Sequence, residues 1–270
     1  FAQNFTTATD TFNTAVGTNA GLSVTTGTNN VLLGGLSGDA LTTGSTNVAV
    51  GTSALTTDTL GSRAVAVGEG ALATQNFTTA TNNYNVGVGY SAGGAITTGT
   101  QNTILGGLAM DAANTGAANV AIGYQALTAD VKGQNNVAVG HNALATQNFN
   151  TATNSYNVAV GSQAGLVIST GIENTLIGGL AGDALTDADF NVALGYLALS
   201  SDTLGSASVA IGRSALQSQN STTATNSFNT AVGHGAGSGV TTGVENTFVG
   251  GLAGNNCSTG VGNTVLGYNA

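Results

Sequence analysis

The sequence predicts an all-β fold, a parallel β-roll or β-solenoid of fifteen coils of roughly 17 residues each. The main observation is a repeat at two levels. A 72-residue super-repeat begins near residues 4, 76, 148 and 220, and within it the motif Asn-x-(Ala/Val/Leu/Ile)-x-Gly returns at spacings of 17, 17, 17 and 21 residues. Alternating residues within the motif, as at 47–51, are typical of a strand and give no helical stripe. Residues 1–270 are therefore predicted to form a single repetitive domain.

Each coil is predicted to contain a strand, a turn, a second short apolar strand and a second turn. In the third coil the strand lies within 47–51 and the second apolar stretch is Ala54-Leu55. Ten residues after the motif glycine Gly51 comes Gly61, and ten coils share this second glycine. We expect the second glycine to adopt a positive φ at the second turn.

Alternation places Val48 and Val50 on one side of the strand and Ala49 on the other. We expect the valines to fill the coil interior, so that Val50→Asp would bury an unpaired charge. The alanines are expected to form a small, flat outer face that packs against identical chains around a symmetry axis, which predicts a homo-oligomer. The Asn that opens each motif is expected to form a ladder in which its amide satisfies backbone groups of the turns.

Three stretches resemble the head repeats of YadA-type trimeric autotransporter adhesins. They read Asn-Val-Ala-Val-Gly-x-x-Ala at 47–54 and 136–143, and Asn-Val-Ala-Ile-Gly-x-x-Ala at 119–126. The resemblance covers nearly the whole chain and implies a left-handed parallel β-roll, a parallel homotrimer and a head that holds host or surface ligands. Similar repeats occur in phage tail fibres. The resemblance therefore implies an extracellular location, on a cell surface or a virion, and leaves both carriers open.

The sequence departs from the adhesin pattern in its uniform 17-residue coil and in the 21-residue fourth coil. The coiled-coil stalk and the membrane-anchor barrel of the adhesins are not found in this segment. These departures do not change the fold prediction, but they leave the choice between a cell adhesin and a phage fibre open.

Composition argues against several classes of function. Only 6% of residues are charged, with 3 Lys and Arg against 12 Asp and Glu, so the formal net charge is −9. No basic surface is expected to neutralise nucleic-acid phosphates or anionic lipids. Apolar runs end well before the roughly 18 residues of a membrane helix, so no direct membrane insertion is expected in this segment. The lone Cys257 has no partner for an internal disulfide.

Motifs that resemble chemical sites are predicted to be structural. Gly89-Tyr90-Ser91-Ala92-Gly93 matches a hydrolase nucleophile elbow, but its equivalents, such as 161–165, lack the pattern. Two columns of aspartates recur every 72 residues, and we predict that they stabilise turns and do not bind calcium. These columns are Asp39, Asp111 and Asp183, and Asp58, Asp130 and Asp202. The sequence thus predicts no enzyme, no catalytic residue, no cofactor and no metal site.

Candidate contact residues fall into two groups. The residue after each motif glycine varies in size and charge, so this column must face water. The contact residues predicted on it are Tyr90, Tyr124, His141, Tyr196, Arg213, His234 and Tyr268. The long turn of the 21-residue coil carries a first aromatic column at Phe5, Phe77 and Phe149, and a second at Phe12, Tyr84, Tyr156 and Phe228. These aromatics are expected either to form a small satellite core or to form protruding contact loops.

The predicted function is a non-enzymatic fibre segment of a cell or virion surface, acting as a rigid spacer and an adhesive surface. Its expected partners are identical chains and a surface receptor or glycan, without nucleic acid. A strand spacing of about 4.8 Å predicts a rod about 70 Å long. Two alternatives remain: the receptor-binding shaft of a phage tail fibre, and an ice-binding solenoid suggested by Thr-rich turns such as 25–27. The corresponding threonines are interrupted at 113–114.

Overall fold

A computed structural model describes residues 10–270. The chain is a parallel β-solenoid of about fifteen coils, and none of the described residues lies in a helix. Its contacts define two compact units. The first unit ends at residue 134 and also holds residues 150–152, whereas the second comprises residues 135–149 and 153–270. The predicted all-β solenoid is confirmed.

In the first unit, each coil contributes one three-residue strand to a parallel sheet. In chain order, the strands of this unit are β1 (Thr14–Val16), β2 (Val31–Leu33), β3 (Val48–Val50), β4 (Gly61–Ser62), β5 (Val65–Val67), β6 (Thr81–Asn82), β7 (Val86–Val88), β8 (Thr103–Leu105), β9 (Val120–Ile122) and β10 (Gly133–Gln134). The two-residue strands β4 and β6 pair with each other outside the main sheet. Equivalent residues stack directly, as Ala49 does on Ala66.

The second unit repeats this arrangement. Its strands are β11 (Val137–Val139), β12 (Thr153–Asn154), β13 (Val158–Val160), β14 (Thr175–Ile177), β15 (Val192–Leu194), β16 (Gly205–Ser206), β17 (Val209–Ile211), β18 (Thr225–Asn226), β19 (Thr230–Val232), β20 (Thr247–Val249) and β21 (Thr264–Leu266). The short strands β16 and β18 pair with each other. All the three-residue strands of both units lie at the positions that the repeated motif predicts.

The predicted second apolar strand is wrong for most coils. Ala54-Leu55 lies in a turn, and Leu55 adopts a left-handed φ of 53°. This turn directs Leu55 into the coil interior, where the side chain is fully buried. A second strand forms only where the two-residue strands occur, beside the long turn.

The two glycine columns are required for different reasons. The motif glycine Gly51 has a φ of 135°, and a Cβ there would lie 2.5 Å from the carbonyl oxygen of Gly68 in the next coil. The second glycine, Gly44, does not have a positive φ, so the predicted left-handed conformation is wrong. A Cβ on Gly44 would lie 2.3 Å from the carbonyl oxygen of Gly61. Close approach of neighbouring coils, and not backbone conformation, therefore explains the second column.

The alternation within each strand is confirmed, but the two sides are the reverse of the prediction. Ala49 is fully buried inside its own coil, whereas Val48 and Val50 are only half-buried on the outer surface. The third strand residues Leu105 and Leu194 are 47% and 43% exposed. The alanines therefore do not form the outer face. The aliphatic first and third strand residues do.

The reason for the reversal is the narrow interior, which three positions in each coil fill. They are the middle residue of the strand and the fourth and seventh residues after the motif glycine. In the second coil these are Leu32, Gly38 and Leu41, and a Cβ on Gly38 would lie 2.7 Å from Leu32 and 2.9 Å from Leu41. A coil with a large turn residue, such as Leu55, has a small strand residue, Ala49. Complementary sizes thus maintain close packing.

The predicted asparagine ladder is confirmed. The buried Asn47 side chain donates from Nδ2 to the carbonyl oxygen of Gly61 at 3.0 Å. Its Oδ1 accepts from the backbone N–H of Ala64 in the next coil at 2.9 Å. The backbone N–H of Asn47 in turn donates to Oδ1 of Asn30 at 2.9 Å. Each asparagine therefore closes its own coil and joins it to the neighbouring coil.

Candidate functional site

The post-glycine column, which we define as the residues directly after the motif glycines, is exposed wherever it carries a side chain. Its members are Thr18, Gly35, Thr52, Glu69, Tyr90, Gly107 and Tyr124 in the first unit, and His141, Ser162, Gly179, Tyr196, Arg213, His234, Gly251 and Tyr268 in the second. Their predicted exposure is confirmed, since all seven candidate contact residues are exposed. That they contact a ligand stays a prediction.

The backbone explains why this column tolerates varied side chains. The carbonyl oxygen of Thr52 accepts a hydrogen bond from the N–H of Gly70, and that of Glu69 accepts one from Ser91, at 3.0 and 2.9 Å. These bonds join neighbouring coils through main-chain atoms alone. The side chains of the column are therefore free to vary without disturbing the stack.

One group on this column is brought together by three successive coils of the second unit. The Arg213 guanidinium carbon lies 5.9 Å from the centre of the Tyr196 ring, and Arg213 Nη1 lies 3.3 Å from His234 Nε2. Because a guanidinium only donates, His234 Nε2 acts as the acceptor. The sequence predicted these three residues as separate contacts on one column, and the structure places them in direct contact.

The tyrosines of the column lean over glycines. A Cβ on Gly179 would lie 3.5 Å from Cδ2 of Tyr196, and one on Gly251 would lie 3.4 Å from Cδ2 of Tyr268. Each ring thus packs over a residue without a side chain on the preceding coil. This contact holds a large aromatic ring close to the surface while leaving about half of it accessible to solvent.

The first aromatic column of the long turn is structural where the structure describes it. Phe77 and Phe149 are only 5% and 6% exposed, so they cannot serve as the predicted contact loops. The four additional residues of the coil fold back, and each phenylalanine covers the interior beneath them. Phe5 lies outside the described residues. The satellite-core alternative is therefore correct for Phe77 and Phe149.

The second aromatic column of the long turn is exposed. It comprises Phe12, Tyr84, Tyr156 and Phe228, all with left-handed φ values. Arg63 lies over the Tyr84 ring, with 5.6 Å between the guanidinium carbon and the ring centre. Sequence reasoning grouped these aromatics with the buried phenylalanines, because neither spacing nor composition distinguishes the two columns.

Asp58 is a turn residue, as predicted, and it anchors a buried polar network. Its Oδ1 accepts from the N–H groups of Gly61 and Phe77 at 3.0 and 3.2 Å, and its Oδ2 accepts from Gln75 Nε2 at 2.6 Å. Gln75 Oε1 then accepts from Asn85 Nδ2 at 2.8 Å. Burial raises the pKa of the Asp58 carboxyl above its ordinary value. The recurrence of Gln75 every 72 residues is the signal that could have revealed this network.

The aspartates of the other column also stabilise turns. The hydroxyl of Thr56 donates to Asp39 at 2.6 Å, and Thr128 contacts Asp111 in the same way. Burial raises the pKa of the Asp183 carboxyl. Among the residues that the structure describes, no three His, Cys, Asp or Glu side chains are grouped so that they could hold a metal ion.

The Thr-rich turns use their hydroxyls internally. Thr25 Oγ1 donates to the carbonyl oxygen of Thr42 at 3.1 Å, and Thr42 Oγ1 donates to that of Thr59 at 3.0 Å. Hydroxyls that are bonded to the next coil do not present a regular donor array to water. This arrangement argues against the ice-binding alternative.

Comparison of the chain with protein-family models, with curated proteins and with solved structures finds no match. Between residues 10 and 270, no helix has the length and apolar character needed to cross a bilayer.

Proposed function

We propose that this chain is a non-enzymatic segment of a fibre on a cell or virion surface, where it acts as a rigid spacer and presents exposed side chains to a receptor or glycan. The observation that supports this proposal most is the in-register stacking of identical positions in each unit. Such a stack gives length without an enclosed site. Its variable, exposed post-glycine column gives a surface for binding.

Stiffness comes from two independent sets of bonds between coils. Backbone hydrogen bonds join the parallel strands, and the asparagine ladder joins the coil corners. Inside, apolar side chains pack closely across each coil, as Leu32 and Leu41 do. Bending the stack would stretch all of these contacts at once, which suits a spacer.

Self-association is the second part of the proposal, because the outer face of the sheet is aliphatic. The third strand residue is Val, Leu or Ile in every coil: Val16, Leu33, Val50, Val67, Val88, Leu105 and Ile122 in the first unit, and Val139, Val160, Ile177, Leu194, Ile211, Val232, Val249 and Leu266 in the second. Contiguous exposed apolar surface of this kind marks an association site. A parallel homotrimer, as in the adhesins that the repeats resemble, would bury this face around one axis.

Sedimentation velocity tests this association. We expect the full chain to sediment as an elongated trimer, and Leu105→Asp with Leu194→Asp to yield a folded monomer, because both side chains are already largely exposed within one chain. Tyr90→Asp places the same charge on the post-glycine column and serves as the matched control that stays trimeric. A wild-type chain that remains monomeric at micromolar concentration would refute the association.

A further inference from the structure

The cluster of Tyr196, Arg213 and His234 has no role in the solenoid itself. The three positions carry Thr52, Glu69 and Tyr90 in the first super-repeat, on coils with the same backbone bonding. All three side chains of the cluster are exposed. The fold therefore does not require this combination, and its chemistry needs another explanation.

Arg213 is held in place without a carboxylate partner. The chain has 12 acidic residues and only 3 basic ones, yet within the described part of the chain the interactions of the Arg213 side chain are with Tyr196 and His234 alone. A guanidinium has five N–H donors, and one contact with His234 leaves most of them directed to solvent. Arg213 thus offers a fixed fork of donors that suits a carboxylate.

The surroundings limit what kind of anion fits. The residues that flank the three side chains are Gly195, Leu197, Gly212, Ser214, Gly233 and Gly235, none of which is charged. A single cation on a chain of net charge −9 does not suit a polyanion, since the rest of the surface repels it. The exposed Tyr196 ring beside the guanidinium supplies an apolar surface. One carboxylate attached to a ring with an apolar face matches this pair.

We infer that Tyr196, Arg213 and His234 bind a carboxylated sugar, with the carboxylate on the Arg213 fork, the sugar ring against Tyr196, and His234 fixing the guanidinium. This inference rests on the proposed function and names the ligand class of its adhesive surface. A single shallow site binds weakly, and its repetition on associated chains would raise the avidity.

Saturation-transfer NMR on the full chain tests the site, with sodium D-glucuronate as the probe and D-glucose and sodium acetate as comparisons. Arg213→Gln is the test variant. Arg63→Gln is the matched control, because Arg63 also lies over a tyrosine and its loss changes the net charge equally. Neither exposed change is expected to unfold the chain, and circular dichroism checks this.

We expect saturable glucuronate binding that weakens at least about ten-fold in Arg213→Gln, the loss expected for one hydrogen-bonding charged group, and that is unchanged in Arg63→Gln. Equal binding by Arg213→Gln, an equal loss in Arg63→Gln, or equal binding of glucose would overturn the site. Acetate that binds as tightly as glucuronate would overturn the assignment to a sugar. Glucuronate binding by a chain that sediments as a monomer would preserve the site while the proposed trimer fails.

Discussion

The second coil of the first super-repeat and its counterpart 72 residues later fill the same interior with different side chains. The first coil uses Leu32, Gly38 and Leu41, and the second uses Ile104, Met110 and Ala113. The bulk moves from the seventh to the fourth residue after the motif glycine, while the strand residue stays large. Gly38 and Met110 share a left-handed backbone, with φ values of 54° and 50°. The difference shows that the solenoid fixes the volume of each coil and leaves its distribution free.

A double-mutant cycle breaks this comparison most severely. Gly38→Met alone would overlap Leu32 and Leu41, and Leu41→Ala alone would leave a cavity, so we expect each to lower the free energy of unfolding by about 3 kcal/mol. The pair together recreates the arrangement around Met110 and should cost only about 1 kcal/mol, the penalty of a left-handed non-glycine residue.

Urea unfolding of the four chains measures the coupling between the two positions. Independent sites would give additive losses in the double variant. Additive losses would therefore contradict the view that total volume per coil is the constrained quantity.

The third coil sharpens the comparison, because Asp58 occupies the interior position that holds Leu41 in the second coil. Burial raises the pKa of Asp58, so the folded chain keeps this proton to a higher pH than the unfolded chain does. The contribution of Asp58 to stability is therefore fully present below its unfolded pKa and declines as the pH rises through the folded pKa. We expect the free energy of unfolding to decline correspondingly between about pH 4 and pH 7.

Urea titrations across this pH range measure the effect. Asp58→Asn should flatten the profile, although it also weakens the bond to Gln75. Asp187→Asn changes an exposed aspartate and should leave the profile as it is. Identical pH dependence in the wild type and Asp58→Asn would mean that the buried carboxyl is not the group responsible.

A polar pair provides a smaller test of the same idea. In the first super-repeat, Asn85 N–H donates to Asn83 Oδ1 at 2.9 Å, while Asn83 Nδ2 is buried without a hydrogen-bond partner. In the second, Asn157 N–H and Ser155 Oγ both donate to Asn136 Oδ1, at 3.1 and 2.8 Å.

Transferring the second arrangement to the first requires Ala64→Asn with Asn83→Ser. We expect this double variant to stabilise the chain by about 1 kcal/mol, because it removes an unsatisfied amide. Thermal unfolding by calorimetry measures the gain. Ala64→Asn alone should gain less, since two amides would compete for Asn85 N–H, and a larger gain from the single change would argue against the exchange.

The smallest effect is expected where the two super-repeats differ most. Tyr90→Ser alters an exposed residue of the post-glycine column, whose backbone bonds do not involve the side chain. We expect a change in the free energy of unfolding within about 0.5 kcal/mol. A loss as large as that of Leu41→Ala would show that this column contributes to the packed interior.

The sequence was sufficient to predict the coil number, the strand positions, the asparagine ladder and the exposed column. Each of these depends on spacing, and stacked coils translate spacing directly into position. The two sides of the strand were assigned wrongly because Val48, Ala49 and Val50 are all apolar, so alternation alone does not say which side is inside. The paired sizes of Leu32 with Gly38 and of Ala49 with Leu55 carry that information.

Contacts between residues far apart along the chain could not be predicted in the same way. The burial of Phe77 depends on how four additional residues fold back over the interior. The contacts of Arg213 with Tyr196 and His234 depend on side-chain rotamers, which a column of residue types does not define. Sequence placed all three on one surface, and only the coordinates show them touching.

The in-register stacking of coils also determines how the chain folds. Each strand pairs with one that lies 17 or 21 residues away in a chain of 270, which corresponds to a relative contact order of roughly 0.07, in the range of helical bundles and well below that of most β-proteins. Each loop to be closed is short, and every completed coil offers a template for the next. We therefore expect structure to grow coil by coil from a formed nucleus, at a pace unusual for a chain made of strands and turns.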